Sequence, residues 1–168
     1  MNSTATWTWT GIVALVMAGV GVKLAVDACR PRGTDLEQIQ SIVRTGTDAA
    51  NRQDPAGIGK VISPNYRDSL GMSKPSLQYE INDFFRRHGA VRVTVSEESI
   101  RVSMQPDGTT ATVTFHASIA APSGDNSGSL EIDPALKVAK ERVHYYLFFP
   151  GEEWKVVSAE NYGGMEGL

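Results

Sequence analysis

The sequence is short of the residues from which several kinds of functional site are built. Its 168 residues contain a single cysteine, Cys29, so neither an internal disulfide nor a cysteine-based metal site can form within the chain. The three histidines are scattered and lack the spacing of metal ligands. The sequence therefore predicts no metal site.

Basic residues are also too few for a typical nucleic-acid-binding protein. Lys and Arg number 16 against 19 Asp and Glu, and the formal net charge is −3, whereas such proteins usually have a basic surplus. No phosphate-binding loop, dinucleotide fingerprint or Ser/His/Asp order is present. We therefore expect no nucleic-acid partner and no cofactor.

What is present indicates one ordinary globular domain. Hydrophobic residues make up 41% of the chain and charged residues 21%, which is typical of globular proteins and argues against long disordered regions. A chain of this length can bury one proper hydrophobic core. The composition indicates neither a ligand nor a reaction.

The N-terminal segment differs from the rest of the chain. Residues 5–26 carry one charge, Lys23, and their centre, GIVALVMAGVGV, is wholly apolar. As a helix this segment would span about 33 Å at ~1.5 Å per residue, which is enough for a bilayer core. Trp7 and Trp9 would lie at one interface and Lys23 near the other. We predict that residues 1–28 are a transmembrane anchor or a signal segment.

The residues around Cys29 leave the fate of this segment open. The small residues before Cys29 resemble a lipoprotein box with Cys29 as the lipidated residue, although Asp27 departs from that pattern. Lys23, Arg30 and Arg32 follow the apolar run, which favours a cytoplasmic domain under the positive-inside rule. We expect a membrane-anchored domain on the extracytoplasmic side, and the cytoplasmic side or cleavage with lipidation at Cys29 remain as alternatives.

Two helices are predicted directly after a short linker at residues 29–33. Thr34 and Glu37 form a capping box, and helical spacing of apolar residues then continues to about Asn51. Asp54 and Pro55 are a typical cap and first residue for a second, short helix.

A third helix is predicted between a serine cap, at Ser73 or Ser76, and a glycine stop at Gly89. Its apolar residues recur at helical spacing and form one stripe, which favours packing against a core. The stripe consists of Leu77, Ile81, Phe84, Phe85 and His88.

From Val91 onward the apolar residues alternate with polar ones, which predicts antiparallel strands. No parallel crossover is needed, because simple hairpins connect the strands. The predicted strands are 91–104, with a bulge near Glu97-Glu98, 111–118, 139–149 and 154–159, and the predicted connections are a hairpin turn at 106–108, a long polar loop at 121–135 and a turn at 150–152.

Three helices followed by four antiparallel strands predict an α+β layer pair. This order resembles the nuclear transport factor 2-like superfamily, also called cystatin-like or SnoaL-like, and in particular its uncharacterised bacterial members with an N-terminal leader. The likeness lies in Asp35–Arg52, in Ile62–Asp68 with Gly71, and in Glu152–Ser158, within a domain of residues 34–160 followed by a tail at 161–168.

The resemblance implies a cone-shaped half-barrel, in which three helices pack on a curved four-stranded antiparallel sheet and leave a pocket between them. In this chain the half-barrel would be preceded by the N-terminal apolar helix. The superfamily includes enzymes and many domains without known chemistry, so the fold does not decide the function. The resemblance also implies a homodimer. The apolar character of both faces of Val143–Ala159 favours the same expectation.

Pairing Phe149 with Glu153 would place polar groups on one apolar face of the sheet, which is what a small-molecule pocket needs. The alternative interpretation is that this face is an outer or dimer-facing side. The predicted ligand-binding residues are Tyr66, His116, His144, Tyr146 and Trp154.

Our first functional hypothesis is a membrane-tethered, non-catalytic domain that binds a small apolar ligand or a protein partner. The second is a small lyase- or isomerase-like enzyme that uses the same pocket. Asp68 is the strongest candidate acid, but an Asp in a turn usually accepts local backbone N–H groups. A polar-lined pocket with a buried carboxylate beside a His or Tyr would favour the enzyme.

Overall fold

The computed structural model describes residues 33–123, 126–145 and 149–160, with 121–128 and 144–149 described at most in their backbone. The chain divides into two compact units, of which the larger comprises Gly33–Val143 and Glu152–Leu168. The second comprises Met1–Arg32 and His144–Gly151, and its described residues are all in strand conformation.

The predicted N-terminal apolar helix and the tail at 161–168 lie outside the described residues. Among the described helices, none is long and apolar enough to cross a bilayer.

The first two helices begin at the caps that the sequence predicts. Helix α1 spans Asp35–Asn51, and its capping box is complete: Thr34 Oγ1 accepts from Glu37 N at 3.3 Å, and the Glu37 carboxylate accepts from Thr34 N at 2.7 Å. Helix α2 spans Pro55–Val61, and Asp54 accepts a backbone N–H of its first turn at 2.8 Å. These predictions are confirmed.

Helix α3 spans Lys74–His88, with Ser73 at its N-cap position. Gly89 ends the helix at a φ of +63°, a left-handed conformation that favours glycine. The structure describes every residue of this helix, and none of them is fully buried despite the apolar stripe.

The strands differ from the prediction of one four-stranded sheet. The described residues form seven strands in two antiparallel sheets, one with the order β1-β4-β5 and one with the order β2-β3-β6-β7. The strands are β1 (Arg92–Val95), β2 (Arg101–Met104), β3 (Thr110–Thr114), β4 (Ala117–Ser123), β5 (Asn126–Ile132), β6 (Ala135–Tyr145) and β7 (Phe149–Glu160).

Two predicted strands break because the chain passes from one sheet to the other. A single 3-10 turn at Glu97–Ser99, where a bulge was predicted, separates β1 from β2. The break between β3 and β4 lies opposite, at His116, and the two breaks are bonded together: Ser96 N donates to the His116 carbonyl at 3.2 Å, and His116 N donates to Ser99 Oγ at 2.8 Å. The predicted turn at 106–108 is confirmed as the hairpin between β2 and β3.

The prediction of a long loop at residues 121–135 is wrong. Strand β5 runs through it and pairs with β4 from Ser123↔Asn126 to Ala117↔Ile132. β5 is an edge strand, and it carries only two apolar side chains, Leu130 and Ile132. Two apolar residues are too few to show the alternation that identifies a strand in the sequence.

The predicted turn at 150–152 is also wrong, because these residues belong to β7. Phe149 and Glu153 therefore lie on one strand and cannot pair across a hairpin. The face assignment that rested on this pairing is not supported.

The core lies where α1 and the segment after α2 contact the sheets. Ser63 N donates to the Val156 carbonyl at 2.9 Å, and Arg67 N donates to the Val157 carbonyl at 3.0 Å. These bonds fix the segment along β7 and leave Tyr66 only 2% exposed. The buried core cluster includes Ile39, Ile42, Val43, Val113, Val138, Trp154 and Val156.

A polar contact ties the start of α1 to this core. Trp154 Nε1 donates to Asp35 Oδ1 at 3.0 Å, and Lys140 Nζ pairs with Asp35 Oδ2 at 3.0 Å. The Trp154 bond, and then the Lys140 bond and charge, lower the pKa of Asp35. Folding is therefore favoured while Asp35 is ionised, and this contribution is lost as the pH falls through the lowered pKa.

We predict that Trp154→Phe lowers the free energy of unfolding by about 2–3 kcal/mol, because it removes a bond to a charged acceptor and some buried volume. Lys140→Met should cost less than about 1 kcal/mol, because the ion pair is partly exposed. Urea unfolding of the full chain at neutral and acidic pH measures both. If both variants lost the same free energy of unfolding, the conclusion that the Trp154 hydrogen bond is the main link between α1 and the core would be contradicted.

Candidate functional site

The larger unit contains a cavity of about 280 Å³ between its three helices and its strands. All three helices contribute to its wall, and so do strands from both sheets. Representative wall residues are Ile42, Ile58, Leu77, Val95, Leu136 and Val156.

The wall of this cavity is almost entirely hydrocarbon. Among the described residues that line it, only Thr47 and Tyr66 carry a polar side-chain atom. Burying a polar group without a partner costs free energy, so such a wall favours an apolar occupant. The site can therefore hold a small apolar molecule, and its described wall offers neither a carboxylate nor an imidazole for proton transfer.

Tyr66 is the predicted site residue that the structure places in this wall. Its hydroxyl donates to Asp68 Oδ2 at 3.5 Å. Asp68 Oδ1 accepts from Leu70 N at 3.0 Å and from Met72 N at 2.8 Å, as expected for a turn aspartate. Asp68 is buried beside a tyrosine, but it is not among the described residues that line the cavity.

Of the other predicted site residues, Trp154 and His116 have described side chains, and neither is among the residues that line the cavity. Trp154 is 4% exposed and belongs to the core, where its indole nitrogen is bonded to Asp35. His144 lies in β6, where the structure describes only its backbone, and Tyr146 lies outside the described residues.

His116 lies on the surface, with its side chain 49% exposed. Phe115 and Ala117, its neighbours in the chain, line the cavity instead. His116 Nδ1 lies 2.9 Å from Asp133 Oδ1, and its Nε2 lies 3.1 Å from Glu131 Oε2. Both ring nitrogens are thus occupied by carboxylates, and no group of residues suited to a metal ion occurs in the part of the chain that the structure describes.

Comparisons with known proteins identify the fold. No family model matches the sequence, and no curated protein matches it. A domain from Nostoc punctiforme, described as having a cystatin-like fold, matches with a TM-score of 0.57 and 16% identity over 74% of each chain. The chain has the cystatin-like, nuclear transport factor 2-like fold.

Two further solved structures agree with this fold. A nuclear transport factor 2-like protein of unknown function from Shewanella oneidensis matches with a TM-score of 0.55 and 10% identity, over 75% of this chain and 97% of that one. A protein described as a putative scytalone dehydratase from Novosphingobium aromaticivorans matches with a TM-score of 0.60 and 10% identity, over 77% and 89%. The chain spans 40% of a longer match from Bdellovibrio bacteriovorus.

The resemblance to the nuclear transport factor 2-like superfamily is thus confirmed at the level of the fold. The cavity wall itself could be foreseen only in part from the sequence. The stripes of α1 and α3 indicated residues such as Ile42 and Leu77, although as core rather than as a cavity wall. Ile132 and Pro134 were missed because they lie in the segment predicted as a polar loop, and Leu136 because it lies between that loop and the next predicted strand.

The hydrogen bond to Asp133, together with the negative charges of Asp133 and Glu131, raises the pKa of His116 above its ordinary value. Protonated His116 therefore stabilises the fold at a pH below the ordinary histidine value, and this contribution is lost as the pH rises through the raised pKa. We predict that Asp133→Asn lowers the pKa of His116, as measured by NMR titration of its ring protons.

Asp107→Asn is the matched control, because Asp107 accepts from Thr109 N and Thr110 N in the turn between β2 and β3. It should leave the titration of His116 unchanged. The same downward shift in both variants would contradict the role of Asp133.

Proposed function

We propose that this nuclear transport factor 2-like domain binds a small apolar ligand in the 280 Å³ cavity and performs no catalysis there. The observation that carries the proposal is the composition of the wall, in which Thr47 and Tyr66 are the only described residues with polar side-chain atoms. General acid–base catalysis requires a titrating group within reach of the substrate, and the described wall offers only the phenol of Tyr66.

The binding of an apolar ligand is favoured by the area that it removes from water, at roughly 25 cal/mol per Å². The described wall therefore supplies the driving force for binding without any change in the polar contacts of the core.

We also propose that residues 1–28 tether this domain to a membrane, with the domain on the extracytoplasmic side. The apolar run and the flanking tryptophans support the membrane tether. A homodimer through the sheet is proposed on the apolar character of Val143–Ala159.

Gly46 offers a direct test of ligand binding. It lies inside α1 and lines the cavity, and a Cβ atom built on it would meet Val61 Cγ2 at 4.0 Å, an ordinary contact. Gly46→Leu should therefore fill part of the cavity while improving the helix propensity of α1 by several tenths of a kcal/mol.

We predict that Gly46→Leu weakens the binding of 1-aminoanthracene, an apolar fluorescent probe, at least tenfold in the full chain held in lipid nanodiscs. Thr45→Leu is the matched control, because Thr45 is the preceding residue of the same helix and is exposed. It should bind the probe as the unmodified protein does. Equal binding by the two variants, both folded by circular dichroism, would contradict the proposal.

A further inference from the structure

A second cavity, of about 530 Å³, lies between helix α3 and the paired strands β1 and β4. On the sheet side it is lined by Val93 and Ile119, which face each other in the β1–β4 register, and by Val91. On the other side it is lined by residues of α3. Its volume falls within the range of known small-molecule sites.

The α3 side of this second cavity carries a cluster of three aromatic rings, those of Phe84, Phe85 and His88. The ring centroids of Phe84 and His88 lie 4.6 Å apart at an interplanar angle of 37°, and those of Phe84 and Phe85 lie 6.1 Å apart at 57°. These are separations at which aromatic rings attract one another. Phe84 and Phe85 are only partly buried, so the cluster leaves aromatic surface uncovered at the cavity.

This aromatic cluster distinguishes the second cavity from the first. None of its three residues is among the described residues that line the 280 Å³ cavity, whose aromatic residues, Tyr66 and Phe115, come from separate segments of the chain. Aliphatic residues such as Leu77 and Ile81 line both cavities and therefore do not discriminate between their ligands.

The charged residues of the second cavity favour neither an anion nor a cation. Among its described lining residues are one acid, Glu80, and one arginine, Arg87. The Arg87 guanidinium is already paired with the Asp83 carboxylate at 2.8 Å. An ionic group that entered the cavity would lose its hydration without meeting an excess of the opposite charge, so an uncharged occupant is favoured.

We propose that the second cavity is a separate binding site for an uncharged, planar aromatic molecule, which stacks on the ring cluster of α3. A bound ring extends the existing arrangement of Phe84 and His88 on one side and contacts the aliphatic side chains of β1 and β4 on the other. An aromatic ring gains more from such a wall than a saturated ring of similar size, because it adds ring–ring attraction to the burial of apolar area.

The proposal is tested by comparing 2-naphthol with decahydro-2-naphthol, which has the same carbon skeleton and hydroxyl group but no aromatic ring. Both are titrated into the full chain in lipid nanodiscs, with free ligand measured by equilibrium dialysis. We expect 2-naphthol to produce saturable methyl NMR shifts at Val91 and Ile119, which line the second cavity only. It should bind there at least fivefold more tightly than the saturated alcohol.

The other outcomes overturn the proposal. Saturable shifts confined to Ile42 and Leu136, which line the first cavity only, would leave apolar ligand binding intact but overturn the second site. Saturable shifts at neither pair of residues would overturn the second site as well. Equal affinities for the two alcohols would overturn the preference for an aromatic ligand.

The charge of the ligand is tested with 2-naphthoate and 2-naphthylmethylammonium, which carry opposite charges on the same ring system. Each should bind the second cavity at least threefold more weakly than 2-naphthol, because neither sign of charge predominates among the described lining residues. Tighter binding of either ion than of 2-naphthol would overturn the assignment of an uncharged ligand.

Phe84→Leu and Tyr79→Leu are matched variants for the ring contact. Both remove an aromatic ring from α3, but Tyr79 is 69% exposed and is not among the residues that line the second cavity. Phe84→Leu should weaken the binding of 2-naphthol at least threefold and leave that of decahydro-2-naphthol unchanged, with folding checked by circular dichroism. Equal effects of the two variants, or equal losses for both alcohols, would overturn the role of Phe84.

Discussion

The architecture depends on one corner, at which a long hairpin passes from one sheet to the other. Ser96 N and Ser99 Oγ bond the backbone of His116 there, so both strands of the hairpin change sheets at the same level. The hairpin divides between two sheets, so β1 and β4 belong to one sheet and β3 and β6 to the other. The side chains that these strands turn inward therefore form two different walls.

The helices cover the space between these walls without filling it. Helix α1 and Tyr66 are fixed in the core by the capping box, by the bond from Trp154 to Asp35 and by the bonds of the Ser63–Arg67 segment to β7. Helix α3 has no comparable buried residue. The result is a well-packed core beside an apolar cavity, and this contrast is the physical basis of the proposed ligand binding.

Features that depend on interactions within one helical turn were predicted from the sequence, whereas features that depend on contacts between distant segments were not. The caps at Thr34, Asp54 and Gly89 act within one turn, and the three helices predicted within residues 34–89 are confirmed. The breaks at Glu97–Ser99 and His116 depend on a contact between two distant segments. The alternation of apolar residues continues across His116, but across Glu97–Ser99 it changes phase, from Val95 to Ile100. Local pattern therefore predicted a continuous strand at His116 and only a bulge within a strand at Glu97–Ser99.

The site was harder to predict than the fold, because side-chain direction depends on strand register. The prediction started from polar and aromatic side chains, of which Tyr66 lies in the cavity wall. Trp154 is instead a core residue bonded to Asp35, and His116 lies outside between two carboxylates. The residues that form the cavity are aliphatic, and nothing in their local sequence distinguishes a cavity wall from a packed core.

Xenon binding tests most directly the claim that the helices and strands leave an apolar cavity between them unfilled. Under xenon pressure, methyl NMR spectra of the full chain should show shifts that saturate at Ile42, Leu77, Val95 and Leu136, which line the cavity. The methyls of Val113 and Val138, which are buried in the packed core but are not among its lining residues, should stay unchanged. The absence of saturable shifts, or equal shifts at both groups of methyls, would contradict the account.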